Sequence, residues 1–241
     1  MRGFDEPRPS GSGFPCWAYV MGTWLVVAAE AAEFAGILKR AAPARKLPWP
    51  GAAFAREIPR NGGRWMLVAN GPGPALVKQA LQTKPDVDTL LSIGFCGALD
   101  PALQIGDIVV SGEVPKGVGA LFTRGDVLSL DRVAVTAEEK RKLRDSSGAA
   151  VFEMESAAVA QKAREWGIPF RCVRVVSDTA EQDMPLDFNR YRDADGRFRR
   201  GRIAAAALAR PFTALPGLVR LDRNCRHAAE QLGEFLADCQ F

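Results

Sequence analysis

The sequence has little histidine and no paired cysteine motif. His227 is the only histidine, and the five cysteines are odd in number and never spaced as Cys-x-x-Cys. This pattern argues against a disulfide framework and against a zinc site. It is typical of a protein from a reducing cytoplasm, so we predict a cytoplasmic protein. We also expect neither a metal nor an organic cofactor. The cysteines are Cys16, Cys96, Cys172, Cys225 and Cys239.

Long apolar runs are also absent. No stretch holds eighteen apolar residues in a row, so we expect no transmembrane helix. Residues 1–21 are rich in proline, glycine and serine and lack the apolar core of a signal peptide, which predicts a disordered leader or a mis-called start. Residues 22–241 show neither an internal repeat nor a clear linker, and we predict a single domain there.

Positive charge is unevenly distributed although the net charge is only +4. Arginines crowd residues 190–226, including "GRFRRGR" at 196–202. Two interpretations remain open: a solvated surface with nearby acids, or a weak basic patch for acidic lipid or nucleic acid. Because no aromatic and basic motif accompanies the arginines, we expect no nucleic-acid partner. We expect no stable membrane insertion either, and at most a weak surface contact.

Short apolar segments alternate with segments of helical periodicity. The predicted strands are 23–29, 64–70, 88–94, 106–114, 125–135 and 170–176. The predicted helices are 30–42, 75–83, 136–148, 155–166 and 220–237. Gly94 and Gly97 are expected to break the third strand. This alternation predicts βαβ units and a mainly parallel sheet in a three-layer α/β/α sandwich.

Two carboxylates lie where such a sheet builds its sites, beyond the carboxyl ends of the strands. Glu155 begins an alanine-rich helix, and Asp178 ends the strand that follows. Taken singly, each has a structural explanation: Glu155 as a first-turn carboxylate and Asp178 as a helix N-cap. Taken together they can face one pocket. One would then accept hydrogen bonds from vicinal hydroxyls, and the other, if desolvated, would donate a proton to a leaving group.

Two motifs carry a resemblance to a known family. "FEMESAAVAQKAREWGIPFRCVRVVSDTA" (152–180) resembles the signature of the nucleoside phosphorylase family, which includes purine nucleoside phosphorylases and methylthioadenosine/adenosylhomocysteine nucleosidases. "LLSIGFCGALDPALQIGDIVVSGEV" (90–114) is similar to the family's glycine-rich turn and "GD" strand. "MPLDFNRYRDADGRFRRGRI" (184–203) is similar to the hopanoid-associated phosphorylase branch. The resemblance implies the family's α/β/α sandwich with a mixed, mainly parallel sheet.

The resemblance also implies a reaction, because the family cleaves the N-glycosidic bond of nucleosides. Carried over by position, Asp178 would protonate a purine base as general acid, Ser177 would orient it, and Glu155 would hold the ribose hydroxyls. Glu33, or alternatively Glu30, stands where the nucleosidases keep a carboxylate that activates water, and the other explanation of both glutamates is a solvated first helical turn. The family commonly dimerises, which implies a homodimer. The remaining implied contacts to sugar or base are Met154, Gly94, Phe95, Cys96, Gly97 and the backbone around Val133.

The sequence departs from the family in two places. No arginine follows the first or third strand, where the phosphorylases bind phosphate, so hydrolysis and phosphorolysis both stay open, with inorganic phosphate as a possible co-substrate. "NGPG" (70–73) is either an anion cradle or a tight turn. The stretch from Asp107 to Met154 is shorter than in the family, which predicts an open pocket. That opening suits a bulky apolar 5′ substituent, or a catalytically degenerate relative that binds nucleosides or lipids.

Overall fold

The computed structural model describes residues 22–41, 43–60, 63–113 and 121–238. The predicted leader, Cys16, Cys239 and residues 114–120 of the shortened stretch lie outside these ranges. The three cysteines within them, Cys96, Cys172 and Cys225, are free thiols. Among the described residues no helix is both long enough and apolar enough to cross a bilayer.

A ten-stranded mixed sheet forms the centre of the part that the structure describes. The four central strands, β4, β1, β5 and β10, are mutually parallel, and β3, β6 and β9 join them antiparallel. The sheet order is β2-β3-β4-β1-β5-β10-β6-β7, with β9 pairing both β5 and β8. The strands are β1 Thr23–Ala28, β2 Arg45–Lys46, β3 Phe54–Arg60, β4 Gly63–Ala69, β5 Thr89–Ala98, β6 Ile108–Ser111, β7 Thr123–Arg124, β8 Val127–Ser129, β9 Val151–Glu153 and β10 Phe170–Asp178.

Helices cover both faces of this sheet, and their ends follow the sequence signals. Thr136 caps α3 by accepting a hydrogen bond from the Glu139 amide, and Gly148 ends it at a φ of 70°. Gly167 ends α4 in the same way. The helices are α1 Ala35–Arg40, α2 Pro74–Ala80, α3 Ala137–Ser147, α4 Ser156–Trp166, α5 Arg200–Leu208 and α6 Ala214–Asp238, with short 3-10 turns at Ala31–Phe34 and Phe188–Tyr191.

The core lies in two layers because successive side chains of a strand point to opposite faces. Val26 of β1 packs in the layer under α1 and α6, with Phe235. Leu25 packs in the opposite layer, under α2 and α4, with Val159. A Cβ built on Gly36 would lie 2.1 Å from the Ala229 carbonyl oxygen, so this glycine lets α1 approach α6 closely. The three-layer sandwich with a mixed, mainly parallel sheet is therefore confirmed.

Several element predictions were wrong in detail. The third strand is not broken, because β5 continues through Gly94 and Gly97 to Ala98 while hydrogen-bonded to β10. The segment predicted as a strand over 125–135 keeps only Val127–Ser129, which pairs with the three-residue β9. The strand β3 and the helix α5 were not predicted, and α6 begins six residues before position 220.

Candidate active site

Three buried carboxylates mark the carboxyl end of the central strands. Glu33 follows β1, Glu155 precedes α4, and Asp178 ends β10. Their exposed fractions are only 3%, 8% and 3%. Carboxylates are seldom buried to this degree unless they are paired or functional. The topology therefore brings together the three acidic residues that the sequence singled out.

Glu33 is held by backbone amides on both of its carboxyl oxygens. The Phe95 N–H donates to Oε1 and the Glu30 N–H donates to Oε2, each at 2.7 Å. A Cβ built on Gly94 would lie 2.4 Å from Oε1, so only glycine permits this contact. Burial raises the pKa of Glu33 to about 7, even though the two amide hydrogen bonds act to lower it. This carboxyl group therefore exchanges a proton near neutral pH.

Glu155 contacts the loop that follows β4. Its Oε1 accepts a hydrogen bond from the Gly73 N–H at 2.7 Å, and its side chain does not cap α4. Burial, followed by the neighbouring charges of Glu153 and Glu33, raises the pKa of Glu155 to about 8. The structural explanation of Glu155 as a first-turn carboxylate is therefore wrong, because Glu155 precedes the first turn of α4 and that turn holds no acidic residue. Its electrostatic coupling to Glu33 is consistent with both carboxyl groups facing one site.

A buried ion pair, which the sequence reading did not identify, holds this end of α4. Arg174 of β10 is fully buried and donates to Glu153 Oε2 and to Ser92 Oγ, both at 2.6 Å. Glu153 accepts from the Glu155 and Ser156 amides at 2.9 and 2.8 Å, so it caps the helix that carries Glu155. Burial alone would raise the pKa of Glu153, but Arg174 and two serine hydroxyls outweigh it and lower that pKa.

Asp178 has a hydrogen-bond partner on each oxygen. Ser177 Oγ donates to Oδ1 at 2.9 Å and lies 3.2 Å from the Cys96 carbonyl, while Lys140 Nζ donates to Oδ2 at 2.6 Å. Burial raises the pKa of Asp178, and the Lys140 ammonium opposes that increase. Asp178 pairs with Gly97, where a Cβ would lie 2.8 Å from Oδ2. The explanation of Asp178 as a helix N-cap is therefore wrong.

Lys140 was also missed by the sequence reasoning. It is the only buried residue of α3 and has no exposed surface. Besides Asp178, it donates to the carbonyls of Thr179 at 2.8 Å and Gln182 at 2.9 Å. It lies within the run "EEKRK", which is typical of a solvated helix face, so no local signal separates it from its charged neighbours.

The other predicted contacts lie in different surroundings. Met154 and Cys96 are buried, and Phe95 is half-buried in β5 beside Glu33. The backbone of Val133 is already engaged, because its N–H donates to Asn189 Oδ1 and its carbonyl accepts from Asn189 Nδ2, both at 2.9 Å. A base that used the Val133 backbone would have to displace this side-chain amide.

Residues 187–200 lie beside one edge of the pocket. We expected this edge to be open because the stretch from Asp107 to Met154 is short. Arg192 donates to the carbonyls of Asp131 and Gly196, and its guanidinium would be 2.9 Å from a Cβ built on Gly73. Arg197 donates to the carbonyl and to the side-chain oxygen of Asn70. A groove of about 340 Å³ lies here, and its lining includes Phe54, Gly71, Pro72, Arg197, Phe198 and Arg200.

Known proteins resemble this chain in sequence. A 5′-methylthioadenosine/S-adenosylhomocysteine nucleosidase of Shewanella baltica is 39% identical over 43% of this chain and 61% of its own length. The nucleosidase of Shewanella halifaxensis is 27% identical over 43% of this chain and 62% of its own length. The chain thus spans about three fifths of the length of these curated relatives.

Solved structures resemble it over most of the chain. A mutant Helicobacter pylori 5′-methylthioadenosine nucleosidase with 5′-methylthioadenosine in its active site has a TM-score of 0.65 at 16% identity and covers 89% of this chain and 96% of its own. The futalosine hydrolase of the same organism has a TM-score of 0.66 at 16% identity, with coverages of 90% and 96%. A Neisseria meningitidis nucleosidase in complex with methylthio-immucillin-A has a TM-score of 0.65 at 20% identity, with coverages of 90% and 97%. Identities this low show a shared fold.

Family membership rests on a match to a sequence profile. The sequence profile of the phosphorylase superfamily matches residues 26–120 and 116–213, which together are more than half of the chain. Both motifs that carry the resemblance to nucleoside phosphorylases lie within these residues. The chain therefore belongs to the phosphorylase superfamily, and the family resemblance predicted from its sequence is confirmed.

Proposed function

We propose that the protein hydrolyses the N-glycosidic bond of a purine-type nucleoside. The main support for this proposal is Glu33, a buried carboxyl group with a pKa of about 7. Two backbone amides hold it beside Gly94 of β5. A general base works best when its pKa lies near the working pH. The curated relatives that match the chain are nucleosidases, which supports the same reaction class.

In the proposed reaction the bond between C1′ of the ribose and N9 of the base breaks, and its electron pair moves into the base. Asp178 gives its proton to N7, which neutralises the leaving group. Lys140, 2.6 Å from Oδ2, stabilises the carboxylate that remains, and so acts as a positioning residue. Water adds to C1′ and gives its proton to Glu33. Solvent then returns a proton to Asp178 and removes one from Glu33.

Glu155 is the proposed ribose-binding residue. The Gly73 N–H fixes Oε1, so Oε2 is available to the 2′- and 3′-hydroxyls. These hydroxyls would supply hydrogen bonds to a carboxyl group that burial has desolvated. Nucleoside binding is therefore expected to lower the pKa of Glu155. The Glu153–Arg174 ion pair holds the start of α4 and thereby the position of Glu155.

Three contacts favour water over phosphate as the nucleophile. Arg174, one of the two buried cations of the site, is neutralised by Glu153 at 2.6 Å. The Gly73 N–H, which the glycine loop would offer to an anion, is bonded to Glu155. A phosphate at the Phe95 amide would compete with the Glu33 carboxylate for the same donor. Each contact opposes a bound anion at the reacting carbon.

Phosphorolysis is the second candidate because two guanidinium groups lie beside the Asn70–Gly73 loop. The oxygens that Arg192 and Arg197 contact belong to carbonyl and amide groups, which are neutral. These arginines keep their positive charge at the edge of the site, and they are the anion-binding groups that a phosphorylase needs. They come from the segment 187–200, downstream of the strands that hold phosphate in the family.

We further propose that the substrate carries a bulky apolar 5′ substituent, as the similarity to the hopanoid-associated branch implies. The support is the groove beside Gly71 and Pro72, which adjoin the glycine that Glu155 contacts. Its lining includes Phe54, Phe198 and four alanines, together with the charged residues Glu30, Arg197 and Arg200. A hydrocarbon attached at the 5′ position of the ribose and directed past Gly73 would enter this groove.

The test is base release from adenosine derivatives whose 5′ groups range from a hydroxyl to a long alkyl chain, with and without phosphate. We expect phosphate-independent release, faster for the apolar substituents, and a loss of at least about 100-fold in Asp178→Asn. Glu165→Gln, at an exposed position of α4, serves as the control. Phosphate-dependent release would support phosphorolysis, and no release from any compound would support a binding protein.

A further inference from the structure

Four large apolar side chains are exposed where α5 meets α6. Phe212 is 93% exposed, Leu208 68%, Val219 61% and Leu215 37%. We call these four residues the apolar tip. Exposed apolar side chains that occur singly need no explanation, but a cluster of them marks a surface that binds something. Leu121, 95% exposed, is the one other large hydrophobic residue exposed among those the structure describes.

The apolar tip is fixed to the body of the protein. Leu215 and Val219 are one turn apart on the outward side of α6, whereas Ala214 of the same helix is buried against Leu186 and Ala207. A Cβ built on Gly217 would lie 2.6 Å from Pro185, which shows how closely α6 approaches the preceding loop. The tip is therefore held outward by packed helices.

Positive charge surrounds the apolar tip. Residues 199–226 contain seven arginines and a single acidic residue, Asp222, so this segment carries a net charge of about +6. Because the whole chain carries +4, the rest of the molecule is slightly acidic. All seven arginines are exposed, and the ion pairs described for them join Arg200 to Glu30 and Arg226 to Asp222. They are Arg199, Arg200, Arg202, Arg210, Arg220, Arg223 and Arg226.

We propose that the apolar tip and its arginines dock on the surface of an anionic phospholipid bilayer. Apolar side chains that enter the headgroup region and arginines that pair with lipid phosphates give reversible binding when they act together. A second copy of this chain fits less well, because a symmetric contact through the tip would bring two strongly positive surfaces together. Nucleic acid would use the arginines but leave the apolar side chains in water.

This inference is independent of the proposed reaction, but the two agree. A nucleoside with a long apolar 5′ substituent partitions into membranes, and an enzyme docked on the bilayer would meet it there. The vesicle experiment below contains no nucleoside, so its result does not depend on catalysis.

The test is co-sedimentation of the purified protein with phosphatidylcholine vesicles that contain or lack phosphatidylglycerol. We expect binding to the vesicles that contain phosphatidylglycerol, weakening with added salt, and about tenfold weaker binding for Phe212→Ser. Leu121→Ser removes an equally exposed apolar residue elsewhere and should bind like the wild type. Arg220→Gln/Arg223→Gln should also weaken binding, whereas Arg45→Gln, another exposed arginine, should not.

Three results would overturn the proposal. The first is the absence of binding to phosphatidylglycerol vesicles, and the second is an equal loss of binding in Phe212→Ser and Leu121→Ser. The third is a concentration-dependent oligomer in sedimentation velocity that Phe212→Ser abolishes, since that would assign the tip to a second copy. Thermal melts of each variant establish that it folds, and with Phe212 93% exposed we expect no change in its melting temperature.

Discussion

Replacing Glu33 by glutamine should abolish base release and at the same time stabilise the protein at alkaline pH. The pKa of Glu33 rises from its ordinary value of 4.5 to about 7 because the carboxyl group is buried. Because the folded-state pKa lies above the unfolded one, the contribution of this group to stability is fully present only below pH 4.5, where the carboxyl group is protonated in both states. That contribution is lost as the pH rises through about 7.

The size of the effect follows from the two pKa values. At pH 9 the ionised Glu33 costs the native state about 3.4 kcal/mol, at about 1.36 kcal/mol per pKa unit. At pH 5 the cost is only about 0.8 kcal/mol, because the native carboxyl group stays protonated. Glutamine does not ionise, so the free energy of unfolding of Glu33→Gln relative to wild type should increase by about 2.6 kcal/mol between pH 5 and pH 9.

A constant penalty does not change this difference. The glutamine amide nitrogen would face either the Phe95 N–H or the Glu30 N–H, and that loss of about 1–3 kcal/mol is the same at both pH values. Urea unfolding followed by tryptophan fluorescence measures the free energy at each pH, and Glu165→Gln, at an exposed position of α4, is the control. Equal pH dependence in Glu33→Gln and wild type would refute the raised pKa, and with it the role of Glu33 as a base near neutral pH.

Further predictions concern the two buried cations. Lys140→Met leaves Asp178 buried without its cation, so the free energy of unfolding should fall by about 3–5 kcal/mol in urea titrations at pH 7. Lys142→Met, at an exposed position of the same helix, should change that free energy by less than about 0.5 kcal/mol. A change as small as that of Lys142→Met would contradict the pairing. Arg174→Met should lower the free energy of unfolding by a similar amount, about 3–5 kcal/mol. Adding Glu153→Gln should restore part of this stability, because no carboxylate is then left unpaired. Additive losses in that double variant would contradict a direct ion pair.

Local sequence patterns were sufficient to predict the central strands and the carboxylates that follow them. β1, β10 and α4 have strong apolar or alanine-rich patterns bounded by glycine or proline, and Glu33, Glu155 and Asp178 lie at their ends. The short β9 and the charged, proline-containing β3 have no such pattern. Their strand conformation comes from pairing with β5 and β4, which are distant in sequence.

The partners of the site residues could not be predicted from local patterns. Lys140 and Asp178 are 38 positions apart, and Arg174 and Glu153 are 21 positions apart, so only the sheet topology shows that they meet. The break predicted at Gly94 and Gly97 failed because these glycines serve close contacts with Glu33 and Asp178 inside a continuous strand. The homodimer and the single domain stay predictions.

The most direct test of the proposed hydrolysis is the pH dependence of kcat/KM for base release in phosphate-free buffer. The substrate is the best adenosine derivative of the 5′ series, and wild type is compared with Glu33→Gln. We expect release without phosphate, an ascending limb with an apparent pKa near 7 in the wild type, and the loss of that limb together with most of the activity in Glu33→Gln. Release that requires phosphate, or an ascending limb near pH 7 that persists unshifted in Glu33→Gln, would contradict water activation by Glu33, whereas a residual limb near pH 8 would belong to Glu155.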